Sequence, residues 1–152
     1  MAPLSLQQIS DRIEINDLLV RYTSAIDQKD WVLLDECFTP DAHLDYTSAG
    51  CIAGDYPKVR AWLEAALAPF PMTVHYITNS VVELSAETAT ARTAVLNPMG
   101  FRNEDGSMHQ FTVGAYYNDR LARTANGWRI VERIEESVFM EGTLPPALSI
   151  PT

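Results

Sequence analysis

Cysteine is scarce: Cys37 and Cys51 are the only two in 152 residues, and they do not form a CxxC pair. That count and spacing argue against a disulfide framework, so reduced thiols are expected. Basic residues are also few, with 11 Lys and Arg against 20 Asp and Glu, and the formal charge is −9. Without a local Lys/Arg cluster, such a chain repels phosphate backbones and anionic headgroups, so neither nucleic acid nor a membrane is an expected partner. No apolar run approaches the roughly 20 residues that span a bilayer. The opening MAPLSLQQIS lacks a basic region followed by an apolar one, which makes a cytoplasmic location the default expectation. Also missing are GxGxxG, GxxxxGK, GxSxG and a helical HExxH pair, so dinucleotide, phosphate-loop, serine-hydrolase and zinc-protease chemistries have no foothold. No cofactor or metal is expected.

What remains is an ordinary globular mixture, 47% apolar and 20% charged, of a size that suits one domain over residues 1–152. From Ser5 to Ile26 the residues Ile9, Ile13, Leu18, Leu19, Tyr22 and Ile26 recur at roughly helical spacing, which predicts a long amphipathic helix. DWVLLDECF predicts a second, short helix with Asp30 as N-cap and Pro40 beyond its end. DAHLDYTSAG then changes to a period of two, with Ala42, Leu44 and Tyr46 inward. In YPKVRAWLEAALAPF the stripe Val59, Trp62, Leu63, Ala66 and Leu67 predicts a third helix ending before Pro69 and Pro71.

Four strand-like segments follow, MTVHYITNSVVEL, TATARTAVLNPMGF, HQFTVGAYYNDRLA and GWRIVERIEESVF, separated by turn-prone sequences. In the second, Ala89, Ala91, Val95, Asn97, Met99 and Phe101 share a face. In the third, Phe111, Val113, Ala115 and Tyr117 form the inward set. The tail TLPPALSIPT reads as an extended cover. Three helices and a five- or six-stranded, mostly antiparallel sheet predict an α+β domain. A strongly twisted sheet wrapped around the long helix leaves a conical cavity, the default binding site. Its expected lining includes Asn97, Met99, Val113, Trp62 and Phe111 as substrate contacts, although Trp62, like Trp31 and Trp128, also reads as core.

Two residues need a chemical reason for their positions. Asp27 closes the first helix, where the dipole disfavours negative charge. His75, taken alone, reads more readily as a satisfied core or surface residue of a strand than as a catalyst. A carboxylate accepting from one ring nitrogen would fix the tautomer and raise the basicity of the other, giving a base useful near neutral pH. His43, between Asp41 and Asp45 at strand spacing, resembles a metal site on paper but falls on the outward face.

IDQKDWVLL, LDYTS, HYITN and the closing GWRIVERIEESVF resemble, over nearly the whole chain, the SnoaL-like proteins of the nuclear transport factor 2 superfamily. That cone-shaped fold is shared by scytalone dehydratase, hexachlorocyclohexane dehydrochlorinase and bile-acid dehydratases. The resemblance implies a proton-transfer dyad at Asp27 and His75, and substrate-facing tyrosines at Tyr22 and Tyr46. Arg133 falls where the dehydrochlorinase has an arginine assisting its leaving halide; a surface ion pair with Glu135 or Glu83 is the other reading. The chain departs from scytalone dehydratase at Ile26, where that enzyme has tyrosine, and around Asn97, Pro98 and Met99, where it has a second histidine. Bile-acid enzymes place an acidic residue near Asn97. The implied activity is a cofactor-free lyase, a dehydratase or related elimination, acting on a small, largely apolar carbonyl compound. A double-bond isomerase of the ketosteroid isomerase kind and a non-catalytic binding or oligomerisation module are the alternatives. A homo-oligomer, dimer or trimer, is also implied.

Overall fold

The computed structural model describes residues 3–144. Helix α1 (Leu6–Gln28) starts at Ser5, whose hydroxyl accepts from the Gln8 backbone while the Gln8 side chain accepts from the Ser5 backbone. This reciprocal box satisfies two N–H groups that the helix itself cannot. The buried face of α1 runs through Ile15, Leu18, Leu19, Tyr22, Ala25 and Ile26. Ile9 and Ile13, expected on that stripe, are exposed, and Asp11 is buried in their stead. The reason is a specific polar anchor: Asp11 accepts from Arg123 at 2.7 Å and from the Trp128 indole at 3.3 Å, which turns this end of the helix.

Helix α2 (Trp31–Asp35) has Asp30 as its N-cap, accepting from the Leu33 backbone. Strand β1 (Phe38–Asp45) begins earlier than expected and includes Pro40. Ala42 and Leu44 within it, and Tyr46 after it, are all buried, and His43 is exposed. A 3-10 turn (Thr47–Ala49) and β2 (Ala53–Asp55) lead into α3 (Tyr56–Leu67). The remaining strands are β3 (Met72–Thr73), β4 (Tyr76–Ser85), β5 (Thr88–Arg102), β6 (Met108–Thr124) and β7 (Gly127–Glu141). Of the tail expected to cover the fold, residues 145–152 lie outside the described ones.

Among the described residues the sheet has seven strands in the order β2-β1-β7-β6-β5-β3, with β4 also on β5, and only β1 and β7 pair in parallel. It curls around α1 to give the expected cone-like α+β architecture. Two register shifts bend its long strands. Arg120 faces Glu132 but Leu121 faces Ile130, so Val131 is an extra residue; Gly114 faces Phe139 but Ala115 faces Ser137, so Val138 is another. Each bulge sharpens the local twist and moves the following side chains to the other face.

MTVHYITNSVVEL does not form the one continuous strand its pattern suggests. Val74 donates to the Pro98 carbonyl at 3.1 Å, but Pro98 has no N–H to return the second bond of that pair. The ladder breaks there, and residues 74–75 separate β3 from β4.

Inside the cone, Arg133 is fully buried and donates twice to Asp119, directly opposite on β6, at 2.7 Å each. Its guanidinium carbon also lies 4.1 Å from the ring centres of both Tyr22 and Tyr117. Removing one partner of such a pair leaves an uncompensated charge in the core. Asp119→Ala should therefore cost about 3–5 kcal/mol in urea unfolding, and the double change Arg133→Met with Asp119→Leu should cost less than the single one. A single-variant loss under about 1 kcal/mol, the range of exposed pairs, would contradict this account.

Candidate active site

The alternation of the antiparallel ladder is what aims His75: Val74 points its N–H at Pro98 on β5, so the next residue points its own away from that strand. With no β5 partner for its backbone, its N–H donates to Asp27 Oδ2 at 2.7 Å, and its ring Nδ1 lies 2.6 Å from Asp27 Oδ1. One carboxylate thus takes both the main-chain and the ring N–H of the same residue, which fixes the imidazole with Nε2 as its lone-pair nitrogen. The side chains of His75 and Asp27 are 9% and 19% exposed. Two N–H donors compensate Asp27 for its unfavourable position at the C-terminal end of α1.

Helix α1 ends sharply beside this contact. Lys29 adopts a left-handed conformation (φ 56°), and the backbone N–H groups of Lys29 and Asp30 bond back to Ile26 and Ala25. The Lys29 ammonium donates to the Phe70 carbonyl at 2.6 Å, tying the end of α1 to the segment that follows α3.

On the other side of the ring, the Asn97 amide nitrogen lies 2.7 Å from His75 Nε2 and 3.3 Å from the Thr73 hydroxyl. Asn97 is 7% exposed, and its carbonyl oxygen has no partner. The Tyr22 ring meets His75 edge-on, with centres 6.1 Å apart, and its hydroxyl lies 3.4 Å from that of Tyr46. Burial, followed by the neighbouring Tyr22, holds the Tyr46 phenol well above its ordinary value, so it stays a neutral donor.

These groups border a cavity of about 170 Å³. A cavity near this volume accommodates a benzene-sized ring. Tyr22, Tyr46, His75, Asn97, Met99, Val113, Trp62 and Phe111, all singled out from the sequence, line it. Asp27 and Arg133 stand behind that wall: Asp27 reaches the cavity through His75, and Arg133 makes neither surface ion pair that was open to it, because Asp119 holds it.

Glu135 is the lining residue that sequence reasoning missed as a functional group. It is partly buried, and burial pushes its carboxyl up to about 7, against a smaller opposing pull from Arg133. Counting by twos from Trp128 and Ile130 places residue 134 inside and 135 outside; the bulge at Val131 reverses this and leaves Ile134 exposed. The only available signal was that Ile134 would otherwise sit inside between two glutamates, and that does not locate a bulge.

Comparison with known proteins agrees with this architecture. Residues 7–134 match the model of the SnoaL-like domain. The chain is 43% identical over 138 residues to the uncharacterized protein Rv2910c of Mycobacterium tuberculosis, covering 91% of this chain and 92% of that protein. Among solved structures, the Kfla4162 protein of Kribbella flavida superposes with a TM-score of 0.79 at 27% identity, covering 87% and 93% of the two chains. Hexachlorocyclohexane dehydrochlorinase LinA-type3 of Novosphingobium barchaimii shares the fold at 19% identity, with a TM-score of 0.76 and coverage of 97% and 99%. With its curled sheet, its cavity and this match over most of its length, the chain belongs to the SnoaL-like family.

Proposed function

We propose that the protein is a cofactor-free lyase that eliminates a leaving group from a small, largely apolar carbonyl compound. The observation that carries this reading is the 2.6 Å contact between His75 Nδ1 and Asp27, made behind a ring whose other face borders the cavity. A binding module has no use for a carboxylate spent on fixing a tautomer. The dehydrochlorinase fold neighbour is named for an elimination, and that class of reaction is carried over here.

In this mechanism His75 Nε2 removes a proton from the carbon beside the carbonyl, and Asp27 stabilises the imidazolium that forms. Asn97 serves both protonation states of the ring. Its amide N–H caps Nε2 at rest, moves aside for the substrate, and its unpartnered carbonyl then accepts from the new Nε2–H. Tyr22 and Tyr46 donate to the carbonyl oxygen as charge develops. Trp62, Met99, Phe111 and Val113 enclose the apolar part of the substrate, and Arg133 acts only through Tyr22, by fixing that ring.

Isomerisation of the ketosteroid kind ranks second, because it requires an Asp free to carry the proton, and both oxygens of Asp27 already accept from His75. The functional form is proposed to be a homo-oligomer, supported by the exposed Val81, Leu96, Ile134 and Phe139 on the sheet. Sedimentation should show a dimer or trimer, and a monomer at tens of micromolar would remove that part of the reading.

Incubation with a panel of β-hydroxy ketones near neutral pH should release conjugated enones. His75→Ala should lower turnover by about 10²-fold or more, the contribution of a positioned acid or base, and Asp27→Asn should lower it with the fold intact by circular dichroism. Full activity in His75→Ala would refute the mechanism.

A further inference from the structure

A base alone does not complete an elimination when the group that leaves is hydroxide. Hydroxide departs poorly unless it is protonated as the carbon–oxygen bond breaks, so a site built for dehydration needs a second proton donor in contact with the substrate. Halide departs unaided. Which donors the cavity holds therefore decides the class of leaving group.

The cavity lining contains one candidate that the dyad does not use. Glu135 stands on β7, with β6 and β5 between it and His75 around the curl of the sheet, and both side chains border the same 170 Å³ space. A substrate seated in that space is bordered by both side chains. Among the described residues, no side chain hydrogen-bonds or ion-pairs with the Glu135 carboxyl group. Among the described residues the cation acting on it is Arg133, which donates twice to Asp119 and not to Glu135. Other titratable groups around Glu135 are Tyr117 beside it on β6, Tyr46 after β1 and Cys51 before β2, with Tyr22 of α1 and His75 further round the wall. Tyr46, Tyr117 and Cys51 are all pushed up, chiefly by burial, and so are neutral near pH 7. Glu135 is thus the lining group able to give up a proton near neutrality.

Resting on the elimination reading above, we propose that Glu135 is the general acid of this site and that the substrate loses a hydroxyl group as water. The proton from the carbon beside the carbonyl passes to His75 Nε2 and the electron pair of that C–H bond forms the alkene. The C–O bond breaks toward oxygen, and the Glu135 carboxyl proton joins the departing hydroxyl. Products are the enone and water; His75 then releases its proton to solvent and Glu135 regains one. A carboxyl held near 7 by burial is suited to this exchange.

The test compares 3-hydroxycyclohexanone with 3-chlorocyclohexanone, following cyclohexenone by absorbance. Glu135→Gln keeps the shape of the side chain and removes the proton. It should lower turnover of the hydroxy ketone by about 10²-fold or more and leave the chloro ketone within about threefold of the unmodified protein. His75→Ala should lower both. With the hydroxy ketone, activity should fall above pH 7 as Glu135 ionises, and that limb should be absent with the chloro ketone.

Folding supplies a readout independent of the substrate. The raised carboxyl keeps its proton longer in the folded state, so stability is lost as pH rises from about 4.5 to about 7 and is flat beyond. Glu135→Gln should raise Tm at pH 8 and leave it unchanged at pH 4. Equal turnover of the hydroxy ketone by Glu135→Gln, or equal losses on both ketones, overturns the role given to Glu135 while the base stands. Failure of the unmodified protein to eliminate from either ketone overturns the elimination reading, and this role with it.

Discussion

A single carboxylate that accepts two N–H groups from one histidine organises this molecule. Asp27 holds the main chain of His75 as well as its ring, so the imidazole is fixed at both ends of its side chain. That arrangement depends on the ladder's alternation: Val74 donates to Pro98 on β5, so the His75 N–H faces away from the sheet and toward the end of α1. A proline in a central strand is ordinarily a defect. Here the missing donor costs only the return bond to Val74, and the His75 N–H, which faces away from β5, is free for the end of α1 to claim.

The walls around this contact divide the work by polarity. Apolar side chains make most of the cavity surface, while the few polar groups sit where they hold one another: Asn97 between His75 and Thr73, and Tyr22 between His75, Tyr46 and Arg133. The Arg133–Asp119 pair lies beneath Tyr22 and Tyr117 and reaches the cavity only through those rings. Two parallel hydrogen bonds neutralise its charges and fix its geometry, although the buried Arg133 Nη1 has no hydrogen-bond partner.

Much of this was legible in the sequence, because helical and strand periodicities are local properties of burial. The α1 stripe from Leu18 to Ile26, the Asp30 cap and the alternation in β5 follow directly from spacing, and the meeting of Asp27 with His75 was reachable through resemblance. The rest was hidden where one residue breaks the period. Ile9 and Ile13 gave way to Asp11 because its partners, Arg123 and Trp128, lie more than a hundred residues away. Glu135 entered only as one alternative ion-pair partner of Arg133, and the extra residue at Val131 that turns it inward has no signature of its own. Pro98 was visible as a residue, but its effect falls on the neighbouring strand.

The two extra residues of β7 cut that strand into three short stretches whose inward positions are set independently: Trp128 and Ile130, then Arg133, Glu135 and Ser137, then Met140. Shifting either irregularity along the chain would re-aim only the residues between its old and new positions and leave the rest of the strand in phase. Such a scaffold can acquire a new interior chemistry from a change in strand alignment, with the helix that carries Asp27 undisturbed.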